Sequence, residues 1–281
     1  MTIENHVLQG DDITRIPCPK NNKKFAAGQP DTIIIHYTAG RSAESSANFL
    51  ARDDVAASAH LVIGRQRGEV YQLVPFDTIS WHAGKSQFGN RSGFNKFSIG
   101  IELDNAGPLT KVGNEFQAWF GKVYPANEAL QAVHRNESAP RFWHTFSPQQ
   151  IEACEEVCRL LLKDYPGINQ ILGHEEISPG RKVDPGPAFP LDKFRRRLLF
   201  EDRADDDDAG VARPSLPESG RVISNFLNIR EGAGTSHAKI AQPLTKGAEV
   251  KILEDLNGWY KVKTEITGWV SKGFIDTSDS S

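Results

Sequence analysis

The segment GHEEISPGRKVDPGPAF at residues 173–189 decides how this chain is organised. Its glycines and prolines are too dense for a continuous helix or strand, which predicts a loop that holds side chains in place. His174 and Asp184 are ten residues apart, so they can share a site only if the loop folds back on itself. The glycines and prolines around Asp184 favour such a return. The loop could therefore supply two of the three protein ligands that a catalytic zinc site usually has.

The loop alone leaves a second interpretation open, in which His174 packs or caps a helix and Asp184 only begins a turn. A third ligand would favour the metal site. His36 is a candidate, because it ends the run DTIIIH at residues 31–36, whose β-branched residues on both faces predict a central strand. A single histidine at a strand end is more often structural. His36 becomes a stronger candidate ligand only in combination with the loop at residues 173–189.

The order of the other elements predicts an α/β fold. A short helix is expected over residues 42–53, and strand-like runs at 60–63 and 70–74 flank GRQRG, which indicates a hairpin. SIGIEL at 98–103 alternates apolar and polar residues, as in a strand with one apolar face, and Glu102 points away from that face. Together these elements predict a mixed central sheet flanked by helices.

A long helix is predicted to follow a segment rich in aromatic residues. Ser147 is suited to the N-cap and Pro148 to the first helical position, and the helix should end near Tyr165. Before it, residues 104–145 hold several aromatic side chains, and a helix is predicted over 127–135. These aromatic residues could form one wall of a sugar-binding cleft or simply cover the core.

Five motifs occur in a fixed order along the chain. They are IIIH at 33–36, SAHLVI at 58–63, WHAG at 81–84, SIGIEL at 98–103 and the loop at 173–189. Over about residues 25–200 the chain resembles the zinc-dependent N-acetylmuramoyl-L-alanine amidases of the type 2 amidase family, which share their fold with peptidoglycan recognition proteins. It is most similar to the bacterial amidases that cut muropeptides, because Lys182 precedes Asp184 by two residues and PGPAF follows.

The resemblance assigns roles that spacing alone leaves open. Spacing does not rank His60 and His82 below His36 as ligands, but the matching family positions line the cleft and bind no metal. The resemblance implies Zn²⁺ as the cofactor, a zinc-activated water that attacks the amide between N-acetylmuramic acid and L-alanine, and peptidoglycan or muropeptides as the partners. The implied residues are His36, His174 and Asp184 as zinc ligands, Glu102 as acid/base, Lys182 as oxyanion stabiliser, and Trp81, His82 and His60 as substrate contacts.

Two alternatives to the amidase stay open. A non-catalytic peptidoglycan receptor on the same fold would be expected to lose a ligand or a catalytic partner, whereas this chain keeps all five of those residues. A zinc peptidase that cuts within the stem peptide would use the same residues on a different bond.

Composition excludes other classes of protein. The 281 residues carry a net charge of −3, which offers no basic surface for nucleic acid. No run approaches the 18 apolar residues of a membrane span, and the amino terminus lacks the pattern of a signal peptide. We therefore expect a monomer without integral membrane contact that is cytoplasmic at synthesis, acting there on muropeptides or on the wall after non-classical export or lysis. The odd number of cysteines, three, predicts reduced thiols, with Cys154 and Cys158 in the core.

A second domain is predicted after an acidic linker. Residues 201–220 contain DDDD and scattered prolines, which indicate a solvated linker. The expected division is a lead-in at 1–24, the catalytic domain at 25–200, this linker, and a small domain at 221–277. The last segment has short strand-like runs, including Gly268-Trp269-Val270, and an Asn257-Gly258 hairpin turn. It resembles a bacterial SH3 domain, an all-β barrel that in wall hydrolases often binds peptidoglycan peptides, although some of these domains only pack against their enzyme.

Overall fold

The computed structural model describes residues 1–201, 218–222, 226–232, 237–256 and 259–265. The chain forms two compact units, Met1–Asp208 and Ala209–Ser281. Nearly all of the predicted linker lies outside the described residues, as do the predicted Asn257-Gly258 turn and the Gly268-Trp269-Val270 strand.

The first unit is built on a six-stranded sheet and a separate five-stranded sheet. Its strands are β1 (Thr2–Glu4), β2 (Val7–Gln9), β3 (Ile13–Arg15), β4 (Thr32–Tyr37), β5 (Leu61–Ile63), β6 (Val70–Gln72), β7 (Gln87–Phe88), β8 (Arg91–Ser92), β9 (Ser98–Leu103), β10 (Pro108–Val112), β11 (Glu115–Gln117), β12 (Val123–Tyr124), β13 (Ala129–Val133), β14 (Pro140–His144) and β15 (Gln170–Gly173). Its helices are α1 (Ala43–Ala51), α2 (Pro148–Asp164), α3 (His174–Ile177) and α4 (Leu191–Arg196). Shorter helical turns cover Phe94–Lys96, Ala126–Glu128 and Arg197–Glu201.

The central sheet has the strand order β15-β4-β9-β5-β6-β3. The four strands from β15 to β5 are parallel, whereas β6 pairs antiparallel with β5. This arrangement confirms the predicted mixed sheet and the hairpin. Parallel strands covered on both faces are expected to be nearly continuously apolar, as β4 is at residues 33–35 and β5 throughout, whereas β9 keeps the predicted alternation.

Helices cover the two faces of this sheet. On one face, Ile33 and Ile35 pack with Cys154, Val157 and Leu161 of α2. The second face packs partly against α1, which contacts β5 and β6. The predicted cap of α2 is confirmed, since the Ser147 hydroxyl accepts a hydrogen bond from the Gln150 backbone N–H at 3.1 Å. The described helices include none that is long and apolar enough to cross a membrane.

The structure adds a strand to one predicted segment and corrects another. Residues 13–15 of the predicted lead-in form β3, which pairs in parallel with β6 at the edge of the central sheet. The helix predicted over 127–135 is wrong, because residues 129–133 form β13 and pair along their whole length with β14. This pairing places them in the five-stranded antiparallel sheet β12-β11-β10-β14-β13. Pairing with the next strand of a hairpin overrides the local helix propensity.

The described part of the second unit is all β, as predicted. Its strands are β16 (Ser219–Arg221), β17 (Phe226–Leu227), β18 (Leu244–Thr245), β19 (Glu249–Leu256) and β20 (Trp259–Lys263). One sheet has the order β16-β19-β20, and β17 pairs with β18. All of these pairs are antiparallel, which is typical of a small β domain.

Candidate metal centre

Three neighbouring parallel strands bring the candidate residues to one edge of the sheet. His36 on β4 is in register with Glu102 on β9, so both side chains point to the same face. Gly173, the last residue of β15, pairs with Ile35, and His174 follows it directly. Since parallel strands end at the same edge, the topology alone places these three residues side by side.

The loop after His174 folds back as its composition predicts. The Glu175 backbone N–H donates to the Asp184 carbonyl at 2.8 Å, which closes the return. The Gly186 N–H then donates to the Glu175 carboxylate at 3.0 Å. Gly186 has φ +74°, and a Cβ there would lie 3.0 Å from the Trp143 ring, so glycine suits this position on two grounds. Asp184 is thereby held beside His174.

Three side-chain atoms meet at the centre of this edge. His36 Nδ1, His174 Nδ1 and Asp184 Oδ2 lie 2.9 Å from one another. The three residues are all buried. They are also the residues to which the family resemblance assigns the metal, from positions up to 148 apart in the chain.

Hydrogen bonds to His82 fix the tautomer of His36. His82 Nε2 faces the Ser98 carbonyl oxygen at 3.2 Å and must therefore carry its proton. The nearby Ser98 hydroxyl cannot supply one, because it donates to the Phe94 carbonyl at 2.6 Å. His82 Nδ1 is thus an acceptor, and it accepts a hydrogen bond from His36 Nε2–H at 2.9 Å. His36 Nδ1 is left as a bare lone pair that points at the cluster.

His174 has the same tautomer for a different reason. Its Nε2 lies 3.2 Å from the Ala83 carbonyl oxygen, to which it can only donate. Arg181 Nη2 is also 3.3 Å away, but it has nearer acceptors in the carbonyls of Ala83 and Lys85 and the Ser178 hydroxyl, at 2.7 to 2.9 Å. His174 Nδ1 is therefore also a bare lone pair. A backbone carbonyl that accepts from the outer nitrogen, as Ala83 does from His174, is a usual support of a metal-bound histidine.

The donor set fits a divalent cation. The lone pairs of His36 Nδ1 and His174 Nδ1 and the Asp184 Oδ2 atom converge on one point, and none of the three atoms carries a proton. Burial lowers the pKa of His36 to about 4, and the neighbouring His174 adds to this. Burial raises the pKa of Asp184, but hydrogen bonds and charge from His174 and His36, when either ring carries a proton toward the carboxylate, outweigh burial and hold the pKa below its usual range. His36 is therefore neutral and Asp184 ionised, as metal ligands must be. Ligands about 2.0 to 2.1 Å from a tetrahedral zinc would be about 3.3 Å apart, close to the spacing observed.

Glu102 and Lys182 lie beside this cluster without belonging to it. Burial raises the pKa of Glu102 well above its usual range, and the charge of Asp184 raises it further. Lys182 acts in the opposite direction on the pKa of Glu102 and also helps to lower that of His36. Glu102 Oε2 is buried and has no hydrogen-bond partner among the described residues. An orphaned carboxylate oxygen beside a metal cluster is suited to hold a proton that moves during a reaction.

The three predicted substrate contacts have very different surroundings. Trp81 is 42 % exposed and free to meet a ligand. His60 is fully buried, and both of its ring nitrogens are bonded within the protein, to the Thr78 carbonyl and to the Ser80 hydroxyl and Gly100 N–H. His82 also has both ring nitrogens engaged. Neither histidine presents a free nitrogen to substrate, so the contact predicted for these two rings would require their hydrogen bonds to break.

No sequence pattern points to the residues that brace the loop from behind. Glu175 is 3 % exposed, and its carboxylate accepts from His134 Nε2 at 2.6 Å and pairs with Arg135 Nε at 3.0 Å. Asn136 donates to the Glu175 carbonyl at 3.0 Å. These partners come from the 104–145 segment, so that segment supports the Asp184 loop. In the sequence, only its position directly after His174 points to a role for Glu175.

Comparison with known proteins agrees with this geometry. Residues 26–187, more than half of the chain, match the family model described as N-acetylmuramoyl-L-alanine amidase. Residues 225–276 match the model of the bacterial SH3 domain.

Individual relatives belong to the same group. The chain is 28 % identical over 215 residues to the 1,6-anhydro-N-acetylmuramyl-L-alanine amidase AmpD of Enterobacter cloacae, covering 70 % of this chain and 95 % of the relative. It is 35 % identical over 199 residues to AmpD of Citrobacter freundii, covering 64 % and 87 %. Among solved structures, the amidase AmiD from E. coli in complex with an anhydro-N-acetylmuramic acid peptide is 28 % identical, with a TM-score of 0.45 and coverage of 68 % of each chain.

Proposed function

Since the chain belongs to the N-acetylmuramoyl-L-alanine amidase family, we propose that it cuts the amide between N-acetylmuramic acid and L-alanine with a zinc ion held by His36, His174 and Asp184. The AmpD relatives are 1,6-anhydro-N-acetylmuramyl-L-alanine amidases, which supports the choice of bond. The bacterial SH3 domain that follows is the type of module expected to bind the same polymer.

One observation carries this proposal. Two histidine lone pairs and a carboxylate oxygen meet within 2.9 Å, and a second, protonatable carboxylate lies on the adjacent strand. A peptidoglycan receptor that only binds has no need of a carboxylate oxygen that is buried without a hydrogen-bond partner among the described residues, as Glu102 Oε2 is, because such burial costs free energy. The arrangement therefore favours catalysis over binding alone.

Each residue of the site has its own role in the proposed reaction. Bound zinc would act as a Lewis acid. It would lower the pKa of water so that hydroxide is available at neutral pH, and it would polarise the carbonyl. Glu102 takes the proton of the attacking water and delivers it to the leaving L-alanine amine. The Lys182 ammonium stabilises the negative oxygen of the tetrahedral intermediate. His82 and Ala83 hold the two ligand imidazoles in the tautomer that binds metal.

Product analysis tests this function directly. The full chain with zinc is incubated with a defined muropeptide, and the products are identified by mass. We expect the intact stem peptide with a free L-alanine amino group, together with the sugar carrying a free lactyl carboxylate. Shorter peptides would instead identify a peptidase that cuts within the stem, and the absence of any product would favour a receptor.

His82 offers a test of the hydrogen-bond relay. We expect His82→Ala to weaken zinc binding about 10- to 100-fold, because His36 loses the acceptor that fixes its tautomer. Competition with a chromogenic chelator measures this affinity without reference to activity. His82→Gln, which keeps an acceptor oxygen, should recover part of the loss. Wild-type zinc affinity in a folded His82→Ala protein would remove His82 from this role.

A further inference from the structure

One exposed aromatic side chain is hydrogen-bonded to the segment that follows the strand of His36, and it is not part of the core. Trp119 is 77 % exposed, the highest value for any large apolar side chain in the described residues. It lies at the tip of the hairpin between β11 and β12. The tip is closed by hydrogen bonds from the Ala118 N–H to the Lys122 carbonyl and from the Gly121 N–H to the Ala118 carbonyl, both 2.9 Å.

The base of this hairpin is anchored, so the tip has a defined position. Phe116 on β11 and Tyr124 on β12 are buried in the apolar cluster of the five-stranded sheet. The aromatic residues of the segment therefore divide into two groups. Those on the strands cover the core, in agreement with one of the two interpretations of this segment, but Trp119 does not.

A hydrogen bond pins the exposed indole beside the strand that carries a metal ligand. Trp119 Nε1–H donates to the Ala39 carbonyl at 2.9 Å. Ala39 is three residues after His36, and a chain of three residues spans at most about 10 Å. Arg41 Nη2 in turn donates to the Phe120 carbonyl at 3.0 Å. The hairpin tip is thus tied at two points to the segment that leaves the metal centre.

The Nε1 edge of the indole is engaged by its hydrogen bond to Ala39, and most of the ring surface is left to solvent. Phe120 meets Trp119 at an interplanar angle of 86° with ring centres 5.5 Å apart, an edge-to-face contact. With its N–H bonded and its neighbour perpendicular, the ring keeps one orientation while most of its surface stays exposed. Such an aromatic group is preorganised, because a ligand that stacks on it need not immobilise it first.

We propose, on the basis of the proposed amidase function, that Trp119 is a stacking platform for a pyranose ring of the glycan part of the substrate. The amide to be cut joins the lactyl group of a sugar to the peptide, so a sugar must lie within a few ångströms of the metal. One face of a pyranose presents C–H groups that pack flat on an aromatic ring. Trp119 then recognises the sugar side of the scissile bond, separately from the residues that do the chemistry.

The test uses the full-length zinc enzyme and two substrates that differ only in the sugar. One is a disaccharide muropeptide, and the other is the same peptide with a D-lactoyl group and no pyranose. Trp119→Ala should raise KM for the muropeptide about 3- to 10-fold, the range expected for one aromatic contact, with kcat and zinc content unchanged. Turnover of the sugar-free substrate should not change. Trp119→Phe, which keeps an aromatic face, should lie close to wild type for both.

Control measurements separate a stacking role for Trp119 from a structural one. Phe49 is 52 % exposed on α1, a helix that carries none of the metal-cluster residues, so Phe49→Ala should leave both KM values unchanged. Equal losses on the two substrates would show a peptide contact and overturn the proposal. So would a Trp119→Phe variant as impaired as Trp119→Ala with a lowered Tm, since the residue would then only hold the hairpin on Ala39. If the wild type releases no L-alanine peptide from the muropeptide, the amidase function itself fails, whereas an unaffected Trp119→Ala enzyme refutes only the platform.

Discussion

His36→Ala is expected to reduce turnover to background and to lose bound zinc. The two remaining ligands, His174 and Asp184, lie on one loop, and two protein ligands rarely hold a catalytic zinc. The wild-type protein should contain about one zinc per chain by elemental analysis. A chelator should abolish its activity, and added Zn²⁺ should restore it, whereas the His36→Ala variant should not recover at any practical zinc concentration.

A matched substitution controls for the loss of a histidine. His6 is about half exposed and bonds the Tyr165 hydroxyl at 2.7 Å, away from the metal cluster. His6→Ala should therefore keep its zinc and most of its turnover. Full activity in wild-type protein freed of metal would contradict the zinc mechanism, and zinc retained at wild-type affinity by His36→Ala would remove His36 from the ligand set.

Local rules place the residues of the cluster on a strand end and a returning loop, but the family resemblance is what selects them as ligands. A β-branched run ending in His36 predicts a buried strand, and the parallel partners of such a strand end at the same edge. The density of glycine and proline between His174 and Asp184 predicts a loop that turns back. No pattern, however, distinguishes a ligand from a histidine that supports one. His82 is recognisable only when both of its hydrogen-bond partners are known, because its tautomer is set by the Ser98 carbonyl and Ser98 follows it by 16 residues.

Strand pairing accounts for what the sequence did not predict. The local pattern predicts a helix over residues 127–135, but residues 129–133 are a strand because the next strand, β14, pairs with the whole of β13. This pairing outweighs a weak local preference. Residues 13–15 are extended, as expected of the lead-in, and a non-local pairing with β6 adds them to the edge of the sheet. The bracing of Glu175 by His134 is equally non-local, because the two residues are 41 positions apart, and spacing rules do not reach that far.

Lys182 and Glu102 should separate catalysis from metal binding, because neither lies in the zinc cluster. Loss of one preorganised oxyanion donor typically costs about 10²- to 10³-fold in rate, and loss of a general acid/base about 10²- to 10⁴-fold. Lys182→Ala and Glu102→Gln should therefore fall by these factors in kcat. Each should keep its zinc by elemental analysis. Lys163→Ala, which removes an exposed lysine in the last turn of α2, should have wild-type kinetics.

The combination of kinetics and zinc content decides the role of each residue. Glu102 Oε2 is buried and has no hydrogen-bond partner among the described residues, and Glu102→Gln keeps the shape of this side chain while it removes the capacity to exchange a proton. A Glu102→Gln or Lys182→Ala enzyme with near wild-type kcat and full zinc would make that residue a bystander. If either variant loses its zinc, the residue supports the cluster instead, and the fall in kcat no longer reports proton transfer or oxyanion stabilisation.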